Sequence, residues 1–215
     1  MPADKKILLI RHGRTDWNDE RRFQGISDVP LNAEGTEQAA LTSARLASER
    51  LGAVYTSPLS RAHATASAIA APHGLVPTVV DSLAEVGFGV WETMPIQTIK
   101  ERDEEFFARW LDDPFFTVPE GGEDWSSARR RIGEAADVVA GSGHASVAVV
   151  SHGGVIRALF ALLLGFDPHS VWSIKVSNCS LTGIERGSWG WQLAFSNDDL
   201  HLSLPKGTAL PVWRS

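Results

Sequence analysis

Two short apolar runs, Ile7-Leu8-Leu9-Ile10 and Val147-Ala148-Val149-Val150, each hand over to a histidine followed by glycine, in Arg11-His12-Gly13 and in Ser151-His152-Gly153-Gly154. Neither run is long enough for a helix, so both read as buried parallel strands whose carboxyl ends carry the polar side chains. Open α/β sheets bind ligands in the crevice beyond the carboxyl ends of their strands, so two such strands lying side by side would turn both imidazoles into one pocket. This repeated phrase constrains the chain more than anything else in it, and it asks for an α/β fold around a mainly parallel central sheet.

The rest of the chain supplies elements for such a sheet. Arg14 to Pro30, punctuated by Gly25, reads as a loop or short helical turn over the site. Asn32 caps a helix whose apolar positions recur to Leu51, with Gly52 closing it, and Ala53 to Thr56 is the next strand. That strand runs into Ser57-Pro58-Leu59-Ser60-Arg61, so Arg61 falls in the first turn of an alanine-rich helix that ends near Gly74. An arginine there opposes the helix dipole, a conflict that a bound anion would resolve; a solvated surface arginine is the alternative.

Val76 to Val80 is a fourth strand candidate, leading to Glu85 and Glu92, two carboxylates isolated among apolar residues and glycines. Burial can raise such a group until it donates a proton, although it can equally cap nearby amides. Pro95 opens a helix through about Leu111 with Ile96, Ile99, Phe106, Phe107, Trp110 and Leu111 on its apolar face, and Asp112 to Asp124 is irregular and aromatic. Residues 91–124 together read as an inserted cap. A helix from about Asp124 to Ala140 precedes the second histidine strand, and the helix Val155 to Leu164 comes after Gly153-Gly154, whose bare amides can hold an oxyanion. Val171 to Val176, Ser180 to Glu185 and Trp189 to Phe195 read as strands that add an antiparallel edge, the last two joined at Arg186-Gly187-Ser188. The tail after Ser203, with Pro205, Gly207 and Pro211, is expected to be poorly ordered.

Composition narrows the function classes. The 215 residues suit a single domain, 1–215, and a net charge of -6 with scattered arginines gives no basic stripe for nucleic acid. The four apolar residues after Met1-Pro2-Ala3-Asp4-Lys5-Lys6 are too few for a signal peptide, and no run reaches the ~20 apolar residues of a membrane span. A soluble, cytoplasmic protein is expected. The one cysteine, Cys179, excludes an internal disulfide and reads as a small packed residue. His12 and His152 lack carboxylates at ligand-like spacing, and Arg11 would repel a dication, so no metal is expected.

Two histidines and two arginines converging on glycine-rich turns describe an anion site, and guanidinium matches phosphate in bidentate fashion. One neutral imidazole can attack phosphorus as a nucleophile; the other, in protonated form, and the arginines would neutralise the equatorial oxygens of the transition state. A carboxylic acid must protonate the leaving oxygen, and Glu85, near Gly87 and Gly89, is the best placed.

The residues Leu9 to Gly13 with Thr15, Trp17-Asn18, Gln24-Gly25 and Leu31 to Gly35, then Ser57 to Ala62, Glu85 to Glu92 and Ser151 to Gly154, resemble the phosphoglycerate-mutase-like branch of the histidine phosphatase superfamily. The matches run in the family's order across roughly residues 6 to 165. The resemblance implies a three-layer α/β/α fold with a small cap, phosphorylation of His12, and a phosphate clamp of Arg11, Arg61 and His152. It further implies neutral hydrogen bonds from Asn18 and Gln24, Glu85 as acid and then base, and no metal or organic cofactor. Gly25 and Gly153 complete the expected phosphate and substrate contacts.

Three positions depart from the family's pattern: Arg14 for the usual Glu or Gln, Thr93 for Gly, and Asp124 for Ser. Phe88-Gly89 stands where mutases have Tyr-Gly, and the short aromatic insertion is more similar to the phosphatases. The expectation is a phosphomonoesterase acting on small-molecule phosphate esters, with an apolar part of the substrate against Phe106, Phe107, Trp110, Phe115 and Phe116. A cofactor-dependent phosphoglycerate-type mutase and a non-catalytic phospholigand-binding protein are the alternatives, and a homodimer is compatible with either.

Overall fold

The computed structural model describes residues 5–205 and 208. Its sheet has six strands in the order β3-β2-β4-β1-β5-β6, with β1 at Lys5–Arg11, β2 at Ala53–Thr56, β3 at Thr78–Val79, β4 at Ser146–Ser151, β5 at Leu181–Gly187 and β6 at Gly190–Asp198. The pairs from β3 to β1 are parallel and those of β5 antiparallel, so β5 alone runs against the rest.

Strand alternation builds the layers. On β1, Ile7 and Leu9 face one core with Val147 and Val149 of β4, while Leu8 and Ile10 face the opposite core with Ala148 and Val150. The first core is closed by α6 (Trp125–Gly141) and α7 (Gly153–Leu164), through Ile132, Ala135, Val139, Ile156 and Phe160. The second is closed by α2 (Ala33–Leu46) and α3 (Ser60–Ala70), through Leu46, Ala62, Ala66 and Ile69. Each buried Leu or Ile contributes roughly 1.5–3 kcal/mol, which makes the central strands rigid supports for the polar residues at their carboxyl ends. A third, smaller cluster of Phe23, Trp91, Ile99, Phe107 and Trp110 lies outside these layers.

Several elements differ from the sequence reading. The second helix stops at Leu46 rather than Leu51, because a turn bonding the Glu49 amide to the Leu46 carbonyl replaces its last pitch. The strand at 76–80 shrinks to Thr78–Val79, both exposed at the sheet edge. The helix expected over 95–111 is two, α4 (Ile96–Arg102) and α5 (Glu104–Asp112): Asp103 leaves the helical region at φ -152 and its carboxylate caps the Phe106 amide. The remaining helix, α1 (Asp16–Asp19), is a single turn held by a Thr15/Asn18 capping box. Val171 to Val176 is no strand: Ser170–Ser173 forms a 3₁₀ turn packed against α7, which leaves β1 free to pair with β5. Gly207 and Pro211 of the tail lie outside the described residues.

Candidate active site

The two histidines are brought together by strand register. Arg11 pairs with Ser151 in the parallel β1–β4 ladder, so His12 and His152 are the next residues off two adjacent strands, and the His12 amide still bonds the Ser151 carbonyl at 2.9 Å. Their ring centroids are 5.1 Å apart. On the other flank of β4, β2 ends at Thr56, and the Oγ of the next residue, Ser57, lies 2.7 Å from His152 Nε2.

Arg61 enters from the first turn of α3 and is completely buried. Its guanidinium donates to the Ser27 carbonyl at 2.7 Å and the Gly25 carbonyl at 2.8 Å, clamping the loop that carries Gln24 and Gly25. Gly25 has φ +52, and a side chain there would run into Glu92. Arg11 donates to the Val176 carbonyl at 2.7 Å.

These residues line one cavity of about 290 Å³ that contains Arg11, His12, Asn18, Gln24, Gly25, Arg61, Glu85 and Gly153. Of the expected site residues, His152 alone is not on its surface; it backs the cavity against His12. The Gln24 amide presents an unpartnered polar atom despite its burial, while Asn18 Oδ1 is taken by the Thr15 amide at 3.1 Å, leaving its amide nitrogen for the cavity. Glu85 accepts from the Val86 amide at 2.9 Å and the Gly154 amide at 3.3 Å. One of the two bare amides expected to bind an oxyanion thus orients the carboxylate instead, and a Cβ at 154 would stand 2.7 Å from Glu85 Oε1. Glu92 takes the capping role: it accepts from the amides of Ile26, Ser27 and Phe88 and from Ser27 Oγ.

Both imidazoles are pushed far towards the neutral form. For His12 the cause is burial first, then the fields of Arg61 and Arg11; for His152 it is burial, then His12 and the same guanidiniums. The protonated second histidine expected from sequence is therefore not the state the protein itself favours. His12 Nδ1 lies 2.7 Å from the Gly13 carbonyl, which can only accept, so the ring proton sits on Nδ1 and the Nε2 lone pair is free. Burial lowers Arg61 and Arg157 to about 10, which leaves both charged at neutral pH.

Sequence reasoning passed over Arg157 and most of the apolar wall. Arg157 lies one helical turn after Gly153 on α7, donates to its carbonyl at 3.1 Å and to that of Ile174 at 3.0 Å, and stacks 4.9 Å from the Trp172 ring centroid. The i, i+4 spacing from Gly153 was the available signal. The cavity wall is Trp17, Phe23, Phe88, Ile96, Trp110 and Trp172. Of the five aromatics expected to meet substrate, only Trp110 lines the cavity: Phe115 is buried between Trp125 and Trp172, Phe106 and Phe107 pack on Trp91, and Phe116 faces solvent.

The departures are also accounted for. Arg14 pairs with Asp19 and Glu34, away from the histidines. Thr93 occupies φ +71, a left-handed conformation that glycine adopts more readily, with its carbonyl held by Arg22 at 2.8 Å. Asp124 caps α6 through the Ser127 amide, work a serine does equally well.

Among the described residues, no group of three or more His, Cys, Asp or Glu is placed to hold a metal ion, and no helix is long and apolar enough to cross a membrane. Cys179 is buried and its thiol is pushed up to about 12, so it is an inert packed residue.

Comparison with known proteins shows what the chain is similar to. The chain is 34% identical over 180 residues to phosphoserine phosphatase 1 of Hydrogenobacter thermophilus, covering 83% of this chain and 85% of that protein. It is also 34% identical over 210 residues to a probable phosphoglycerate mutase GpmB of Yersinia enterocolitica, covering 93% and 96%. The solved structure of a mycobacterial glucosyl-3-phosphoglycerate phosphatase superposes with a TM-score of 0.81 at 28% identity, over 90% of this chain and 99% of that one. The model of the histidine phosphatase superfamily (branch 1) matches residues 7–199, and the chain belongs to that family.

Proposed function

We propose that this protein is a phosphomonoesterase that hydrolyses small-molecule phosphate esters through a phosphohistidine on His12. The observation that carries the reading is the fixed tautomer of His12: a buried neutral ring, its Nδ1 proton committed to the Gly13 carbonyl, offers Nε2 in the field of Arg61 and Arg11. His12 Nε2 attacks phosphorus as the bond from phosphorus to the ester oxygen breaks, and the leaving alcohol takes the proton of Glu85. Water then attacks the phosphohistidine, Glu85 accepts a proton from it, the P–N bond breaks and phosphate departs. Arg11, Arg61 and His152 hold the equatorial oxygens, with Asn18, Gln24, Gly25 and the Gly153 turn setting the phosphoryl group in place. A bound dianion offsets the field of Arg61 and Arg11 that adds to burial in keeping His152 neutral, and so favours its protonation when the substrate arrives.

Every step uses a group of this chain, so the reaction runs without metal or organic cofactor. Residues 91–124 act as a cap over the site within a single domain, and the cytoplasm is the compartment that one inert cysteine fits. The substrate is a small ester rather than nucleic acid, since a cavity of about 290 Å³ suits a small molecule and the chain carries a net charge of -6.

The test is phosphate release from a panel of esters in the presence of EDTA. Wild-type protein should turn over and yield acid-labile phosphate on denaturation, and His12→Ala should lose at least ~10⁴-fold in kcat. Activity surviving in His12→Ala, or lost to EDTA, overturns the mechanism. Isomer exchange of phosphoglycerates without net phosphate release would make the protein a mutase.

A further inference from the structure

Three polar residues stand one step beyond the ends of three adjacent strands: His12 after β1, His152 after β4 and Ser57 after β2. The Ser57 amide donates to the Val150 carbonyl of β4 at 3.1 Å, so the serine is pinned to the strand that delivers His152. Neither Ser57 nor His152 is exposed to solvent, and Ser57 Oγ lies 2.7 Å from His152 Nε2. The proposed reaction gives work to this histidine and none to the serine behind it.

The donors and acceptors around Ser57 fix the direction of this bond. A hydroxyl has one proton and two lone pairs. One lone pair of Ser57 Oγ takes the Leu59 amide at 3.2 Å, and among the described residues the acceptor within reach of its proton is His152 Nε2. With Ser57 donating, Oγ and Nε2 are both satisfied. With Nε2 donating, the hydroxyl proton would be buried without an acceptor. Burial, His12 and the charges of Arg61 and Arg11 keep the ring neutral, so its single proton then sits on Nδ1.

His152 Nδ1 is buried and has no partner among the described residues. A buried N–H without an acceptor is a cost that a bound ligand removes. The ring lies against that of His12, 5.1 Å between centroids, and His12 Nε2 is the atom that takes the phosphoryl group, so a phosphoryl oxygen is the acceptor that the ligand brings. When a phosphate dianion draws a second proton onto the ring, that proton goes to Nε2 and the serine turns from donor to acceptor, while the Nδ1 contact stays as it was. We infer that Ser57 is a positioning residue for phosphoryl transfer: its hydroxyl holds the proton of His152 on Nδ1, so that the ring donates from that nitrogen to the phosphoryl group. This rests on the phosphomonoesterase reading above and adds to it the group that sets the second histidine.

The experiment reads the tautomer and the rate together. Two-bond proton–nitrogen NMR correlations of ring-labelled histidine should place the His152 proton on Nδ1 in wild-type protein, and inorganic phosphate should shift that proton's resonance while leaving it on the same nitrogen. Ser57→Ala should spread the proton over both nitrogens and lower kcat for 4-nitrophenyl phosphate about 10-fold, with KM within about 3-fold. Ser57→Thr, which keeps a hydroxyl, should restore the Nδ1 proton and most of kcat. A wild-type proton on Nε2 overturns the inference, and so does a proton that moves in Ser57→Ala with kcat unchanged. A loss of kcat in Ser57→Ala with the proton unmoved also overturns it, because the serine would then act only through the turn at Leu59. If wild-type protein releases no phosphate from 4-nitrophenyl phosphate or the ester panel, the phosphatase reading falls and takes the inference with it; release together with an Nε2 proton overturns the serine's role alone. Should Ser57→Ala not fold, the wild-type tautomer and Ser57→Thr still decide.

Discussion

The cavity has two halves built by different means. Its floor, formed by Arg11, His12, Arg61 and the His152 behind them, stands on the ends of adjacent strands and the first turn of a helix. Its wall, Trp17, Phe23, Phe88, Trp110 and Trp172, is gathered from α1, two loops, α5 and a 3₁₀ turn. Shifting Arg11, His12 or His152 means disturbing a sheet ladder buried on both faces. A wall residue can change with its own short segment. On the proposed reading, the chemistry is thus tied to the ends of the central strands and the choice of alcohol to short segments outside the sheet.

The sharpest way to break this contrast is to remove the cation that does both jobs on the floor. Arg61→Met should lower kcat/KM about 10³-fold for every ester alike, because it takes away a phosphoryl contact and releases the carbonyls of Gly25 and Ser27. A loss that varies strongly from one alcohol to another would show that the floor also reads the alcohol. Next in size, Glu85→Gln should slow alkyl phosphates about 10²-fold and 4-nitrophenyl phosphate only a few-fold, since a good leaving group needs no proton. Equal slowing of both would move the acid to another residue.

The wall should answer in the other sense. Trp110→Ala should raise KM for aryl phosphates about 10-fold and leave kcat on small alkyl esters within about 3-fold. Trp110 also packs on Phe23, Trp91 and Phe107, so the variant's thermal unfolding has to be tracked alongside. A collapse of kcat on all esters at wild-type stability would mean that the wall positions the reacting phosphate.

The same division decides what could be read from the sequence. The floor was legible because each of its residues ends or succeeds a local pattern: a β-branched or Leu-rich run before His12 and His152, a proline turn before Arg61. Strand pairing then does the long-range work. The wall was not, because its aromatics sit where local pattern misleads. Phe106, Phe107 and Trp110 share one amphipathic face in sequence, yet the break at Asp103 and the packing around Trp91 leave only Trp110 on the cavity. Trp172 lay in a Val-rich stretch with the alternation of a strand, but β5 had already taken the place beside β1. Glu85 and Glu92 look alike in sequence and differ only in which amides are near them: those of Val86 and Gly154 for one, those of the 26–27 loop for the other.

The smallest effect expected is on stability, and it too separates the halves, because only the floor titrates. His12 and His152 both have folded pKa values well below the 6.5 of a free imidazole. Below that value the unfolded chain binds protons that the folded floor refuses, so stability is complete above it and declines as the pH falls through the window beneath. Each imidazole adds a slope of up to about 1.4 kcal/mol per pH unit there. The buried His201, also lowered, adds a third contribution of the same sign from its contact with Thr42. Denaturant unfolding at about pH 7, 6 and 5 should therefore show a declining midpoint in wild-type protein and in Trp110→Ala, and a shallower decline in His152→Asn. Asparagine keeps a polar group near Ser57 Oγ without a titrating one, so the comparison isolates the proton. If the pH slope of His152→Asn equals that of wild-type protein, the imidazole is not held neutral by the fold, and the floor would be charged before any phosphate reaches it.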